Sequence, residues 1–147
     1  MKFNFCMNES NAPRGNVLIV KPEKKPKTED IAICADSFED IIRGKLEGTV
    51  FTKLGVAIFF DRDWDALRLP VNRVILDKNN PEKSTILYGT FIVVGIKLDD
   101  DNAISFTGLT KEQLHYFKLY FDIAVRMKMV NGKPEPVFEI KLRKRRY

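Results

Sequence analysis

The chain has 147 residues, 44% hydrophobic and 31% charged, which is enough for one domain whose core needs neither a metal nor a disulfide. Two cysteines outside any C-x-x-C pair and a single histidine argue against a zinc site and favour two free thiols in a reduced, intracellular protein. The net charge of +5 comes from the last seven residues, KLRKRRY, which contain five cations and no acid.

Hydrophobic runs in this sequence are too short to span a bilayer. At the N-terminus, MKFNFCMNESNAPRGN is interrupted by polar residues and lacks the apolar core of a cleavable signal. We therefore expect a cytoplasmic protein with no membrane partner. Residues 1–16 are interpreted as an N-terminal arm, and residues 17–147 as a single domain with a basic tail at 141–147.

The first half of the chain predicts a strand, a loop, a short helix and a hairpin. Val17–Val20 is a β-branched run typical of a buried strand, and the following KPEKKPK is a solvated loop. Ser37, with Asp40 three residues later, imitates a capping box and predicts a helix that Gly44 or Gly48 ends. Two β-rich runs, 49–52 and 56–60, then predict a hairpin that turns near Gly55.

The second half predicts a central strand over residues 89–95 and a turn over residues 99–102, DDDN. Thr110 and Gln113 form a capping box that opens a helix predicted to continue through LHYFKLYFDIAV, to residue 125. Asn131-Gly132 then predicts a closing hairpin, in which Pro134 and Pro136 lengthen the turn and indicate an edge strand.

Strands outnumber helices in this prediction, and helices do not regularly separate them. The predicted class is therefore α+β, with a mainly antiparallel sheet. One long C-terminal helix and a short N-terminal helix are predicted to pack on this sheet, and a β-hairpin closes the chain.

The alternating acids of DRDWD, beginning at Asp61, resemble the start of a calcium loop. Such a loop needs Gly at its sixth position and Glu at its twelfth, where this chain has Ala66 and Asn72. A solvated acidic turn is therefore the better interpretation, and we expect no metal and no cofactor. His115 lacks a second ligand or triad partner nearby, and the sequence has no nucleotide-binding or nucleophile motif. We expect a protein that is not an enzyme, although a hydrolase site assembled from distant residues stays open.

The corner LPVNR has two interpretations. As a structural turn, Pro70 fixes the backbone and Asn72 ties down the loop, and this interpretation is favoured. As a ligand- or partner-binding site, Asn72 and Arg73 act with Trp64, and Arg73 contacts a phosphate or carboxylate. In that case Arg73→Ala should weaken binding and leave the melting temperature unchanged.

The basic tail is the strongest electrostatic feature of the sequence. Phosphate groups of nucleic acid or of a nucleotide are candidate ligands for Arg143, Lys144, Arg145 and Arg146. Equally, a basic end is a common solubility device or the frayed edge of a last strand.

Four segments, VLIVKPEKKPK, LPVNRVI, YGTFIVVGI and SFTGLTKEQLHYFKLYF, occur here in a distinctive order. This order resembles a small domain family of unknown function, recurrent in phages, prophages and conjugative elements of low-GC Gram-positive bacteria. The resemblance covers roughly residues 17–125, and KLEGTVFTKL replaces the glycine-rich element usual in that family. It implies an accessory protein of a mobile element and carries over no known chemistry.

Together these observations predict a non-enzymatic binding protein of a phage or mobile element. One hypothesis is counter-defence, either by blocking a host protein or by sequestering a nucleotide-type signal. The alternative is a nucleic-acid-binding accessory protein that uses the basic tail. Whether the protein forms a homo-oligomer stays open.

Overall fold

The computed structural model describes residues 3–77, 79–80, 83–122 and 124–139. Within them the helices are α1 (Ala35–Ile42) and α2 (Lys111–Tyr120), with a 3-10 turn at Thr52–Leu54. The strands are β1 (Phe3–Asn4), β2 (Arg14–Val20), β3 (Lys27–Ala32), β4 (Leu46–Phe51), β5 (Val56–Asp61), β6 (Val71–Ile75), β7 (Thr85–Tyr88), β8 (Phe91–Leu98), β9 (Ile104–Thr107), β10 (Ala124–Val130) and β11 (Lys133–Glu139).

Strand β8 is the centre of a seven-stranded sheet and is paired along both of its edges. Along one edge of β8, β5 pairs with residues 92–95. Along the opposite edge, β2 pairs with residues 91–93 and β9 pairs with residues 95–98. Outside these, β3 pairs with β2, β4 with β5 and β1 with β9. Among the described pairs of strands, only β1–β9 is parallel. Strands β6 and β7 form a separate two-stranded sheet, and β10 and β11 form another.

The three inner strands are hydrophobic on both faces because a helix covers each face of the sheet. Successive side chains of a strand point to opposite faces, so the two buried sets alternate along β2, β5 and β8. The set on the α1 side includes Val17, Ile19, Phe38, Ala57, Phe59, Ile92 and Val94. The set on the α2 side includes Leu18, Val20, Val56, Ile58, Phe91, Val93, Phe117 and Phe121.

The predicted α+β class with one long C-terminal helix is wrong, because the described residues are mostly β and their two α-helices have only eight and ten residues. Helix α2 ends at Tyr120, and Ala124–Val130, which overlaps the predicted helix, is strand β10. The cause is partly local, because AVRMKMV alternates apolar and basic residues with the period of a strand. A tertiary contact also favours the end of α2 at Tyr120, because the Phe121 carbonyl accepts a hydrogen bond from the Arg73 side chain at 2.8 Å.

The start of α1 differs from the prediction at Ser37. The N-cap is Cys34, and its side chain accepts no capping hydrogen bond. Instead, the amides of Ala35 and Asp36 donate to the carbonyls of Cys6 and Met7, at 2.8 and 2.9 Å. Backbone carbonyls of the N-terminal arm therefore satisfy the free amides of the first turn.

Both ends of the described part of the predicted arm belong to strands of the sheet. Strand β1 pairs with β9, and β2 begins at Arg14, inside the range 1–16 assigned to the arm. The ring of Phe5 stacks on Phe59, with ring centroids 5.0 Å apart. Aromatic burial thus holds the start of the chain on the α1 side of the sheet.

Several local predictions are confirmed. Strands β4 and β5 form the predicted hairpin, with Gly55 at φ 69, and β8 is the predicted central strand. The DDDN segment is a turn, closed by the Asn102 amide donating to Asp99 at 3.0 Å. No helix in the described part of the chain has the length and apolar character needed to cross a bilayer.

The closing hairpin turns directly at Asn131-Gly132, whose φ angles are 52 and 78. Val130 pairs with Lys133, so the prediction that the prolines lengthen this turn is wrong. Counting from this closing pair, Pro134 and Pro136 occupy positions whose nitrogen faces away from β10, so they cost the ladder no hydrogen bond. The hairpin is a sheet of its own. The sequence VFEIKL predicts an edge strand over residues 137–142, of which residues 140–142 lie outside the described residues.

The capping box of α2 gives a direct test of local stabilisation. The Gln113 amide donates to the Thr110 hydroxyl at 3.1 Å, and the Thr110 amide donates to the Gln113 side chain at 2.9 Å. We expect Thr110→Ala to lower the free energy of unfolding by about 1 kcal/mol, measured by urea denaturation. Thr110→Ser keeps the hydroxyl and should cost much less. Equal losses in the two variants would contradict a stabilising role for the box.

Candidate functional site: a lysine-lined cleft beside α1

A cleft of about 400 Å³ opens between the β2–β3 loop, strand β3 and the C-terminal end of α1. Five cations, two carboxylates and two isoleucines line it, and we call it the lysine cleft. The lining residues are Lys21, Lys24, Lys25, Lys27, Arg43, Glu29, Asp40, Ile19 and Ile41. Its charged side chains belong to exposed residues, whereas Ile19 is 4% exposed. The cleft is therefore a basic surface site with an apolar floor.

The β2–β3 loop begins with a tight turn that brings its lysines together. The Lys24 amide donates to the Lys21 carbonyl at 3.1 Å. Pro22 presets the second position of this turn, and Glu23 takes a φ of 60 at the third, as in a type II turn. The chain folds back on itself, so lysines before and after the turn face one cleft.

Helix α1 contributes Asp40 and, at its C-cap, Arg43. Arg43 has the left-handed backbone conformation (φ 59, ψ 46) common at helix ends, although glycine is preferred there. The next residue, Gly44, has a different constraint, because a Cβ at this position would collide with the Asp61 carboxylate. Asp40 lies three residues before Arg43, and both residues line the cleft.

Asn72 ties the end of β2 to the turn that follows β7. Its side-chain amide donates to the carbonyls of Val20 and Gly89, at 2.9 and 2.8 Å. Its side-chain oxygen accepts from Arg73 at 2.7 Å. Only 1% of the Asn72 surface is exposed, and its side chain bonds to other groups of the protein. These bonds fix the point where the β2–β3 loop, which we call the lysine loop, leaves the sheet.

The Arg73 side chain anchors the lysine loop through a hydrogen bond to its backbone. Its guanidinium donates to the Lys24 carbonyl at 2.6 Å, to the Phe121 carbonyl at 2.8 Å and to the Asn72 carbonyl at 3.1 Å. Only 1% of the residue is exposed. This burial lowers the pKa of the Arg73 guanidinium to about 10, while the nearby Asp122 carboxylate acts in the opposite direction. The group therefore stays charged at neutral pH.

These contacts assign Asn72 and Arg73 a structural role beneath the lysine cleft. Their hydrogen bonds connect protein groups, so neither side chain presents its polar atoms at the protein surface. A contact between either residue and a ligand stays a prediction, which only a binding measurement tests.

The other predicted site residues lie elsewhere. Trp64 is half-buried and stacks on Tyr88, with ring centroids 4.3 Å apart and planes 5° from parallel. It does not line the lysine cleft. The tail residues Arg143, Lys144, Arg145 and Arg146 lie outside the described residues.

The DRDWD segment forms turns after Asp61, as predicted, but Asp61 itself is the last residue of β5 and is not solvated. Asp61 is 3% exposed, and its carboxylate accepts a hydrogen bond from the Asp63 amide at 2.8 Å. This is the geometry of an Asx turn, which shapes the start of the loop. Across the described residues, no three or more His, Cys, Asp or Glu side chains converge on a common metal position.

The sequence pattern of KPEKKPK predicts a solvated loop and does not by itself reveal the cleft. Four lysines within seven residues were a usable signal for an anion site. The pattern could not show that Arg43 and Asp40 complete the same cleft, because α1 meets the loop only in the folded chain.

The four segments that define the resemblance meet around Asn72 and Arg73. Carbonyls from three of them accept hydrogen bonds from these two side chains: those of Val20 and Lys24, of Gly89 and of Phe121. A family model described as a domain of unknown function, DUF3846, matches residues 14–122. The chain belongs to the DUF3846 family. The predicted resemblance to a family of unknown function is thereby confirmed.

The matched range contains the whole lysine cleft and the residues that anchor it, from Val20 to Asp122. The cleft therefore lies within the family domain, and the closing hairpin lies beyond it. No curated protein and no solved structure matches the chain.

Proposed function

We propose that this protein is a non-enzymatic binding protein whose ligand is a phosphate-bearing small molecule held in the lysine cleft. The observation that carries the proposal is the convergence of five cations and two acids on one cleft, an excess of three positive charges. Its volume of about 400 Å³ lies in the range typical of small-molecule sites.

The anchoring of the loop supports this role. Lys21, Lys24, Lys25 and Lys27 lie close together, and their mutual repulsion favours an open loop. Asn72 and Arg73 hold Val20 and Lys24 through carbonyl hydrogen bonds, so folding already supplies part of the loop order. The backbone that carries the lysines is therefore partly ordered before an anion binds, which lowers the entropic cost of binding.

The biological setting is a proposal by analogy. The four segments resemble proteins of phages and conjugative elements, which supports an accessory protein acting in the cytoplasm of a bacterial host. A phosphate-binding cleft fits sequestration of a nucleotide-type signal better than blocking of a host protein. Nucleic-acid binding by the tail stays a prediction, since residues 141–147 lie outside the described residues.

Isothermal titration of the full chain with ATP and with inorganic tripolyphosphate tests this proposal. We expect binding at low salt that weakens steeply as salt rises, because the cations of the cleft are exposed. Lys25→Ala and Arg43→Ala should each weaken binding by about fivefold, the upper range for an exposed charge pair. The melting temperature should change little.

Lys118→Ala is the matched control, since this exposed lysine lies on α2 and does not line the cleft. It should leave both affinities unchanged, as should deletion of residues 141–147. Absence of binding to both probes and to fructose 1,6-bisphosphate, or equal weakening by Lys118→Ala, would overturn the proposal.

A further inference from the structure

Two carboxylates, Glu29 and Asp40, lie among the cations of the lysine cleft. We infer that they select a phosphate ester carrying hydroxyl or amino groups, such as a nucleotide or a sugar phosphate, over an inorganic polyphosphate. This inference rests on the proposed function, because it specifies the ligand class of the same cleft.

The two carboxylates belong to different elements that line the cleft. Glu29 follows Lys27 by two residues on β3, so both point to the same face of the strand. Asp40 lies in the last turn of α1, and Arg43 is the C-cap residue of the same helix. Each element thus presents one cation and one acid to the cleft, and a bound ligand meets both signs of charge.

Neither carboxylate forms an ion pair with the cations that line the cleft. Within the described residues, neither Glu29 nor Asp40 takes part in an ion pair or a side-chain hydrogen bond. Both acids keep their acceptor oxygens available to a ligand in the cleft.

A ligand made only of phosphate groups would be attracted by the cations but repelled by the two carboxylates, because like charges at short range repel. This repulsion is a loss of binding free energy. A phosphate ester of a polyol or nucleoside avoids part of this loss. Its hydroxyl or amino groups donate to carboxylate oxygens, and such charge-assisted hydrogen bonds are strong. Ile19 and Ile41 supply an apolar floor for the carbon skeleton.

The experiment compares three probes by isothermal titration at one low salt concentration: ATP, fructose 1,6-bisphosphate and inorganic tripolyphosphate. In the unmodified chain, at least one of the two esters should bind more tightly than tripolyphosphate, and the difference between them distinguishes a nucleotide from a sugar phosphate. In the double variant Glu29→Gln with Asp40→Asn, tripolyphosphate should bind about fivefold more tightly, as repulsion is lost. The preferred ester should not gain, so the ratio of affinities should fall by about fivefold or more.

Glu47→Gln is the control, because it removes one exposed acid on β4 outside the cleft. It should leave the ratio of affinities unchanged. The inference is overturned if tripolyphosphate matches both esters in the unmodified chain, or if the double variant strengthens all three probes equally. In either case the binding itself persists, so the proposed function stands. If none of the three probes binds, both this inference and the proposed function are overturned.

Discussion

Arg73→Ala should lower the free energy of unfolding by about 3–5 kcal/mol, the cost of removing one member of a buried charged network. The substitution removes the donors of the Lys24 and Phe121 carbonyls and the positive charge beside Asp122. Urea denaturation, followed by the fluorescence of the single tryptophan, Trp64, measures the loss.

Two further variants make this prediction specific. Arg62 is exposed and ion-paired with Asp63 at 3.6 Å, so Arg62→Ala should cost well under about 1 kcal/mol. Arg73→Lys keeps the charge but not the planar fork that reaches several carbonyls, and it should fall between the two. An unchanged melting temperature in Arg73→Ala would contradict the buried role and return Arg73 to the candidate ligand contacts.

Gly108→Ala should lower the free energy of unfolding by about 2–3 kcal/mol through steric overlap. Gly108 follows β9, and a Cβ there would lie 2.9 Å from the backbone nitrogen of Asn16 and 2.9 Å from the Cα of Gly15. The clash is with backbone, which cannot rotate away as a side chain can. The Leu109 amide donates to the Asn16 carbonyl at 2.7 Å, and this hydrogen bond depends on the close approach.

Gly132→Ala is the matched glycine control. A Cβ at Gly132 would meet no atom within 4 Å among those described, so its cost comes only from the positive φ of 78. That strain is about 1 kcal/mol for a residue with a Cβ. Thermal and urea denaturation of both variants should rank Gly108→Ala as the more damaging. A larger loss for Gly132→Ala would contradict the backbone contact between β2 and the end of β9.

The sequence by itself determined the features whose partner atoms are close along the chain. The capping box at Thr110 closes over three residues, and the hairpin turns at Gly55 and Asn131-Gly132 depend on backbone conformations that these residues adopt easily. The central strand was predictable because its continuous hydrophobic run fits a strand covered on both faces.

Only the tertiary structure decided where α1 begins and what Arg73 does, and a tertiary hydrogen bond adds to the local pattern that ends α2. The first turn of α1 is satisfied by carbonyls of Cys6 and Met7, which no pattern around Ser37 reveals. Arg73 bonds to carbonyls 49 residues before it and 48 residues after it, at Lys24 and Phe121. The sequence LPVNR is the same whether Arg73 faces solvent or the interior. Its burial follows from packing of distant segments, and the lysine cleft exists for the same reason.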